Sequence, residues 1–101
     1  MGNIAQWLRD EEQRSGQPIQ AVVVDEYDGY DAEIKARGPL HTVLSREQGL
    51  ALLDYEHDHG YGGMDCHHMT AWSADRVYYV SEYDGSTSLS WQPGNPPESA
   101  E

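Results

Sequence analysis

Asp65–Trp91 reads DCHHMTAWSADRVYYVSEYDGSTSLSW. Asp65 to Trp72, Arg76 to Tyr83 and Thr87 to Trp91 are rich in Thr, Val, Tyr and Trp, residues that fit a pleated, half-buried surface. The second and third runs are joined by Asp84-Gly85. A two-residue Asp-Gly turn takes positive φ at both positions and matches the twist of the strands it joins. It sets Val80 against Leu89 and Tyr78 against Trp91, so one face points to a core. The reading is a three-stranded antiparallel meander.

Working outward, Gly60-Tyr61-Gly62-Gly63 reads as a loop. Before it, Ser45-Arg46-Glu47-Gln48 matches the S-x-x-Q capping box, which predicts a helix from Arg46. Leu50, Leu53 and His57 fall on one stripe, and Gly60 places the helix end near Asp58. Leu40 to Leu44 is a short edge segment after the Gly38-Pro39 break. Ile19 to Tyr27, with Val22-Val23-Val24 at its centre, predicts a strand. Asp28-Gly29 and the run Tyr30 to Arg37 then predict a second hairpin. Its register would set Tyr27 against Tyr30, Glu26 against Asp31, Asp25 against Ala32, Val24 against Glu33 and Val23 against Ile34. Ala21, Val23, Ala32, Ile34 and Ala36 would then face the core. Asn3 as N-cap, Ile4, Trp7 and Leu8 at helical spacing, Gly16 and Pro18 predict a first helix over 4–15. The tail PGNPPESAE, 93–101, is expected to be disordered. V-D-E-Y-D-G at 24–29 and V-S-E-Y-D-G at 80–85 use the same turn chemistry; two copies make no repeat architecture. The fold class is α+β: a single domain over 1–92, with an antiparallel sheet of four to six strands and two helices packed on it.

Composition bounds this domain. The chain has 101 residues, enough for one domain. Leu, Ile and Val total 16 and Phe is absent, a meagre aliphatic supply. Three Trp and seven Tyr compensate, so a small aromatic-rich core is expected. No apolar run approaches the roughly 18 residues of a membrane helix. MGNIAQWLRDEEQ lacks the basic character of a signal or transit peptide, and position 6 lacks the Ser or Thr of a myristoylation signal. The single Cys66 excludes an internal disulfide and fits a reducing compartment, so a cytoplasmic location is expected.

Charge is the strongest feature. Lys and Arg number 6 against 18 Asp and Glu, a formal net charge of -12. Direct contact with nucleic acid or anionic membrane is disfavoured, and a basic partner is the natural complement. Asp25 to Glu33 holds five acids and no base, and Glu47 to Asp75 six acids and no base. In the predicted hairpin Glu26 and Asp31 oppose each other, a like-charge pair that costs stability. Tyr27, Tyr30, Tyr55, Tyr61 and Tyr83 are interleaved with the acids, and Tyr is a favoured interface residue. Carboxylates spaced along strands can occupy phosphate positions in a nucleic-acid channel. The candidate partner-binding residues are Asp25, Glu26, Tyr27, Asp28, Tyr30, Asp31, Glu33, Glu56, Asp58 and Asp65.

In size, charge and acidic hairpin the chain is similar to a broad class of short acidic single-domain proteins encoded by phages and mobile elements. These include anti-CRISPR and antirestriction proteins, some of them DNA mimics. The resemblance implies an inhibitor that blocks a basic nucleic-acid-binding complex or nuclease of a host defence machine, acting in the host cytoplasm as a monomer or homodimer. An immunity protein or antitoxin neutralising a basic toxin is the alternative.

A third reading uses His57, His59, Cys66 and His68, side chains that suit zinc. Their spacing is poor: no C-x-x-C or H-x-x-x-H occurs, and on a strand Cys66 and His68 would share one face with His67 on the other. The plainer expectation sets His57 and His59 at a helix C-terminus and His68 beside Trp72. No cofactor is implied. No G-x-S-x-G, P-loop, H-E-x-x-H or G-x-G-x-x-G occurs, so a catalytic role is not expected.

Overall fold

The computed structural model describes residues 2–57, 65–83 and 86–96. α1 spans Ile4–Ser15. The Asn3 side chain accepts from Gln6 N–H at 3.0 Å, and Gly16 closes the helix at φ 75°, which glycine adopts without strain. β1 spans Ala21–Tyr27, α2 Ala32–Lys35, β2 Val43–Leu44 and α3 Arg46–Leu53. β3 (His67–Trp72), β4 (Arg76–Tyr83) and β5 (Ser86–Pro93) complete the chain. The sheet is antiparallel with order β2-β1-β3-β4-β5.

The meander follows its sequence. Val80 pairs with Leu89 and Tyr78 with Trp91. Tyr83 opposes Ser86, the pairing that a two-residue connection gives; Asp84 and Gly85 lie outside the described residues. β5 runs to Pro93, so Pro93 belongs to the sheet and not to the tail, and Gly94 is tied to its margin by an N–H donated to Asp75 O at 3.0 Å.

The first hairpin does not form. Both edges of β1 are taken, by β2 (Val22 to Leu44) and by β3 (Ala21 to Trp72 through Tyr27 to His67). The run after Asp28-Gly29 therefore has no strand to join. Ala32, Glu33 and Lys35 favour helix over strand, and Asp31 caps them, its carboxylate accepting from Glu33 and Ile34 N–H at 2.9 and 3.0 Å. The described residues thus form three helices, not two, and Glu26 does not oppose Asp31.

The predicted core face of β1 is also reversed. Val22 and Val24 are buried, while Val23 faces outward and is half-buried. Of the other residues expected in the core, Ala21 is buried and Ile34 packs against the core, while Ala32 and Ala36 are exposed. Three consecutive valines carry no parity of their own; α3 decides it. Gly49 lies so close to β1 that a Cβ there would sit 2.5 Å from Val22 Cβ. Val22, Val24, Leu44, Met69, Ala71 and Tyr78 share that face with Ile4, Leu8, Leu50 and Leu53.

The Ser45–Gln48 capping box forms, but α3 stops at Leu53 rather than near Asp58. In a longer helix Tyr55 would fall on the exposed side with Gln48 and Ala51. Breaking the helix at Asp54 turns Tyr55 into the core. The Arg37 guanidinium supports the break, donating to the carbonyls of Leu52 at 3.0 Å and Asp54 at 3.4 Å. His57 then pairs its backbone with Gly2.

Candidate functional site

The β1–β3 pairing slips between Val24 and Tyr27: two residues, Asp25 and Glu26, stand opposite one, His68. This is a β-bulge, which bends a strand and re-aims its side chains. On a regular strand, consecutive carboxylates would point to opposite faces. Here both reach one imidazole: His41 Nδ1 lies 3.0 Å from Asp25 and Nε2 lies 2.7 Å from Glu26. His41 takes a left-handed backbone, φ 60°, and its N–H donates to Val24 O at 2.8 Å. That conformation is uncommon outside glycine, and such residues cluster at functional positions.

Asp28 follows the bulge, 2.6 Å from His68 Nε2, with both side chains about half exposed. The turn after it folds against Asp65: a Cβ on Gly29 would collide with the Tyr27 hydroxyl and the Asp65 carboxylate. Asp31 N–H donates to the Tyr27 hydroxyl at 3.4 Å. Asp65, distant in sequence, thereby joins Asp28 and Asp31 around Gly29. Burial first, and then the charges of Asp65 and Asp31, hold the Tyr27 hydroxyl above its ordinary pKa. Tyr30 is 99% exposed and Glu33 lies on the exposed side of α2.

Arginine ion pairs lie away from this pole. Arg46 grips Glu12 through Nε and Nη2 at 2.7 and 2.8 Å, and Glu12 also accepts from Ile19 N–H at 2.7 Å. The Arg46 hydrogen bond holds the Glu12 pKa below its usual value despite burial. Arg14 pairs with Glu11, and Arg76 stacks over Trp91 with its guanidinium 3.9 Å from the ring centre. Among the described residues, no Lys or Arg pairs with the pole's carboxylates; the side chains that contact them are His41 and His68.

Not every candidate joins the pole. Asn3 Nδ2 donates to Glu56 at 3.2 Å and to Asp54 at 3.0 Å, which ties Glu56 to the start of α1. The Tyr27 ring packs against His67 at 5.0 Å and Tyr55 at 6.3 Å, so it serves the core margin more than a contact surface. Asp58, His59 and Tyr61 lie outside the described residues.

Among the described residues, the zinc candidates do not converge. His57 is buried edge-on to Trp7 at 5.3 Å, beyond the helix end it was expected to cap. Cys66 is buried together with His67, while His68 is exposed on the other face and bonded to Asp28 rather than set beside Trp72. Among the described residues, no group of three or more His, Cys, Asp or Glu side chains is placed to hold a metal. Burial, reinforced by Asp65 and Asp28, pushes the Cys66 thiol up to about 12, so at neutral pH it is a thiol and a poor nucleophile.

Beneath the pole sits a polar pair that the sequence did not signal. The Tyr55 hydroxyl accepts from His67 N–H at 2.8 Å and lies 2.8 Å from His67 Nδ1. Burial, with the Arg37 charge, lowers the His67 pKa to about 4. The ring is therefore neutral at physiological pH, and its Nδ1 shares one hydrogen bond with the Tyr55 hydroxyl. Nε2 is buried without a hydrogen-bond partner among the described residues.

No family model, curated protein or solved structure matches this chain.

Proposed function

We propose that this protein is a small acidic inhibitor of the anti-CRISPR or antirestriction kind, which docks its acidic pole on a basic nucleic-acid-binding surface and occludes it. One observation carries the reading. Asp25, Glu26, Asp28, Asp31, Glu33 and Asp65 gather at one end of the sheet, and among the described residues no Lys or Arg pairs with them there. Arginine-paired carboxylates would be neutralised in advance; these are available to a cationic partner. Association steered by such a pole is fast and falls with ionic strength, because charges are screened over about 10 Å at 0.1 M salt.

The test is retention of a partner from the source cell's lysate by the tagged protein, washed at low and high salt, with displacement by duplex DNA. The informative variant is Glu26→Lys, Asp28→Lys and Glu33→Lys together. Asp31 is left alone because its carboxylate caps α2. Three close charge pairs at about 1.5 kcal/mol or more each make the expected loss about a thousandfold or greater. A salt-resistant complex that DNA does not displace, or unchanged affinity in the triple variant, overturns the reading.

A further inference from the structure

The helices and the core occupy one face of the sheet; the register defines what remains on the other. Val23 and Asp25 point outward on β1, His68, Thr70 and Trp72 on β3, and Val77, Tyr79 and Ser81 on β4. Val43 of β2 stands beside Val23, Thr70 beside Tyr79, and Trp72 beside Val77. Trp72 and Tyr79 are thus diagonal neighbours, close enough for one ligand group to touch both. None of these outward residues belongs to the core or to the side chains packed against it. Gly94, at the end of this face, has no side chain to cover Val77.

Two features of charge set this face apart. The six Lys and Arg lie elsewhere: Arg9, Arg14, Lys35, Arg37 and Arg46 on or beside the helices, and Arg76 in step with the inward residues of β4. The acidic pole also runs directly into it, since Asp25 is the next outward residue after Val23 and Asp28 bonds outward-facing His68.

Building on the reading of the acidic pole, we propose that this open sheet face is the apolar half of the same docking surface, and that the occupant is an arginine-rich protein surface. A guanidinium stacks on aromatic rings and bonds carboxylates in bidentate fashion; an ammonium does neither as well. The fold already holds such a contact, Arg76 over Trp91 at 3.9 Å. Area points the same way. Four full strands about 4.8 Å apart and some 20–25 Å long give a face of roughly 400–500 Å². A standard interface covers about 800 Å² per partner, so the face alone falls short of one and the adjoining pole has to extend it. A second copy is the wrong occupant: it brings a further net charge of -12 and has no Lys or Arg on this face to meet the pole.

The probe is an oligoarginine peptide, compared with oligolysine of equal length, titrated into isotopically labelled full-length protein. Tryptophan fluorescence gives affinity, amide shifts give the site, and sedimentation reads association. Oligoarginine is expected to bind at least about tenfold tighter than oligolysine, as for loss of an aromatic hot spot, with shifts on the outward residues of β3 and β4 as well as the pole. Trp72→Ser with Tyr79→Ser should erase that preference while weak binding of both peptides persists. Thr70→Arg, a change on the open face that leaves both rings in place, should erase it too and serves if the double variant misfolds. The Glu26→Lys, Asp28→Lys, Glu33→Lys variant should weaken both peptides alike. Equal affinities, a preference that survives in the face variants, shifts confined to the pole, or self-association that protects Trp72 each overturn the assignment to this face. Unchanged binding in the triple variant, with the arginine preference intact, instead removes the pole and leaves the face.

Discussion

Gly49→Ala sets two opposing effects against each other. Within a helix, Ala is favoured over Gly by about 1 kcal/mol, so helix propensity alone expects a more stable protein. Packing gives the opposite sign. The added methyl would lie 2.5 Å from Val22 Cβ, 2.6 Å from Cγ2 and 2.9 Å from Cγ1, where carbon atoms prefer about 3.5–4.0 Å. Val22 is β-branched and stiff, and its strand is held on both sides by Leu44 and Ala71. Neither partner can yield the required ångström cheaply, so overpacking should cost about 3 kcal/mol, the upper end of its usual range. Less the propensity gain, the net loss is about 2 kcal/mol, or roughly 10 °C in Tm for a domain of this size. Urea unfolding followed by tryptophan fluorescence reads it as a lower midpoint at unchanged slope. Val22→Ala makes room, so the double variant should be more stable than the sum of the single effects by at least about 1 kcal/mol. A Gly49→Ala protein as stable as the parent, or an additive double variant, would refute the argument that this contact sets the inward face of β1.

Two further predictions concern the buried polar pair. His67 titrates near 4 in the fold against an ordinary 6.5, so the unfolded chain binds the extra proton between those values and stability falls as pH drops through that window, by up to about 3 kcal/mol. His67→Gln should flatten this part of a stability-against-pH curve measured by urea unfolding. Tyr55→Phe keeps the ring but strips His67 N–H and Nδ1 of their shared partner, and should cost about 2–3 kcal/mol by thermal denaturation.

Elements that stop themselves were legible in the sequence. Asn3 and Gly16 bound α1, Ser45 and Gln48 start α3, and the alternation around Val80 and Leu89 gives the β4–β5 register directly. What failed depended on competition. Asp28-Gly29 is good turn chemistry, but β3 and β2 pair with β1 first, and no local pattern records a rival strand from forty residues away. The end of α3 failed similarly, because a tertiary demand, the burial of Tyr55, overrode a continuous apolar stripe. The acidic run was plain to see, but its geometry was not. His41 was missed because its place depends on a bulge and a left-handed backbone that its neighbours do not encode. The arrival of Asp65 and the isolation of Glu56 are likewise products of packing.

The two ends of the strand order differ in a way that bears on assembly. β2 is two residues long and offers almost no unpaired backbone to a newcomer. β5 is eight residues, none of them charged, and sits on the rim with the hydrogen-bonding edge away from β4 open among the described strands. Long uncharged rims invite strand addition. A sheet that can lengthen at one rim only cannot propagate: two molecules joined β5 to β5 leave a short β2 at each outer end. Crowding should therefore drive this chain at most to a closed pair, and not to the fibrils that a sheet with two long rims can nucleate.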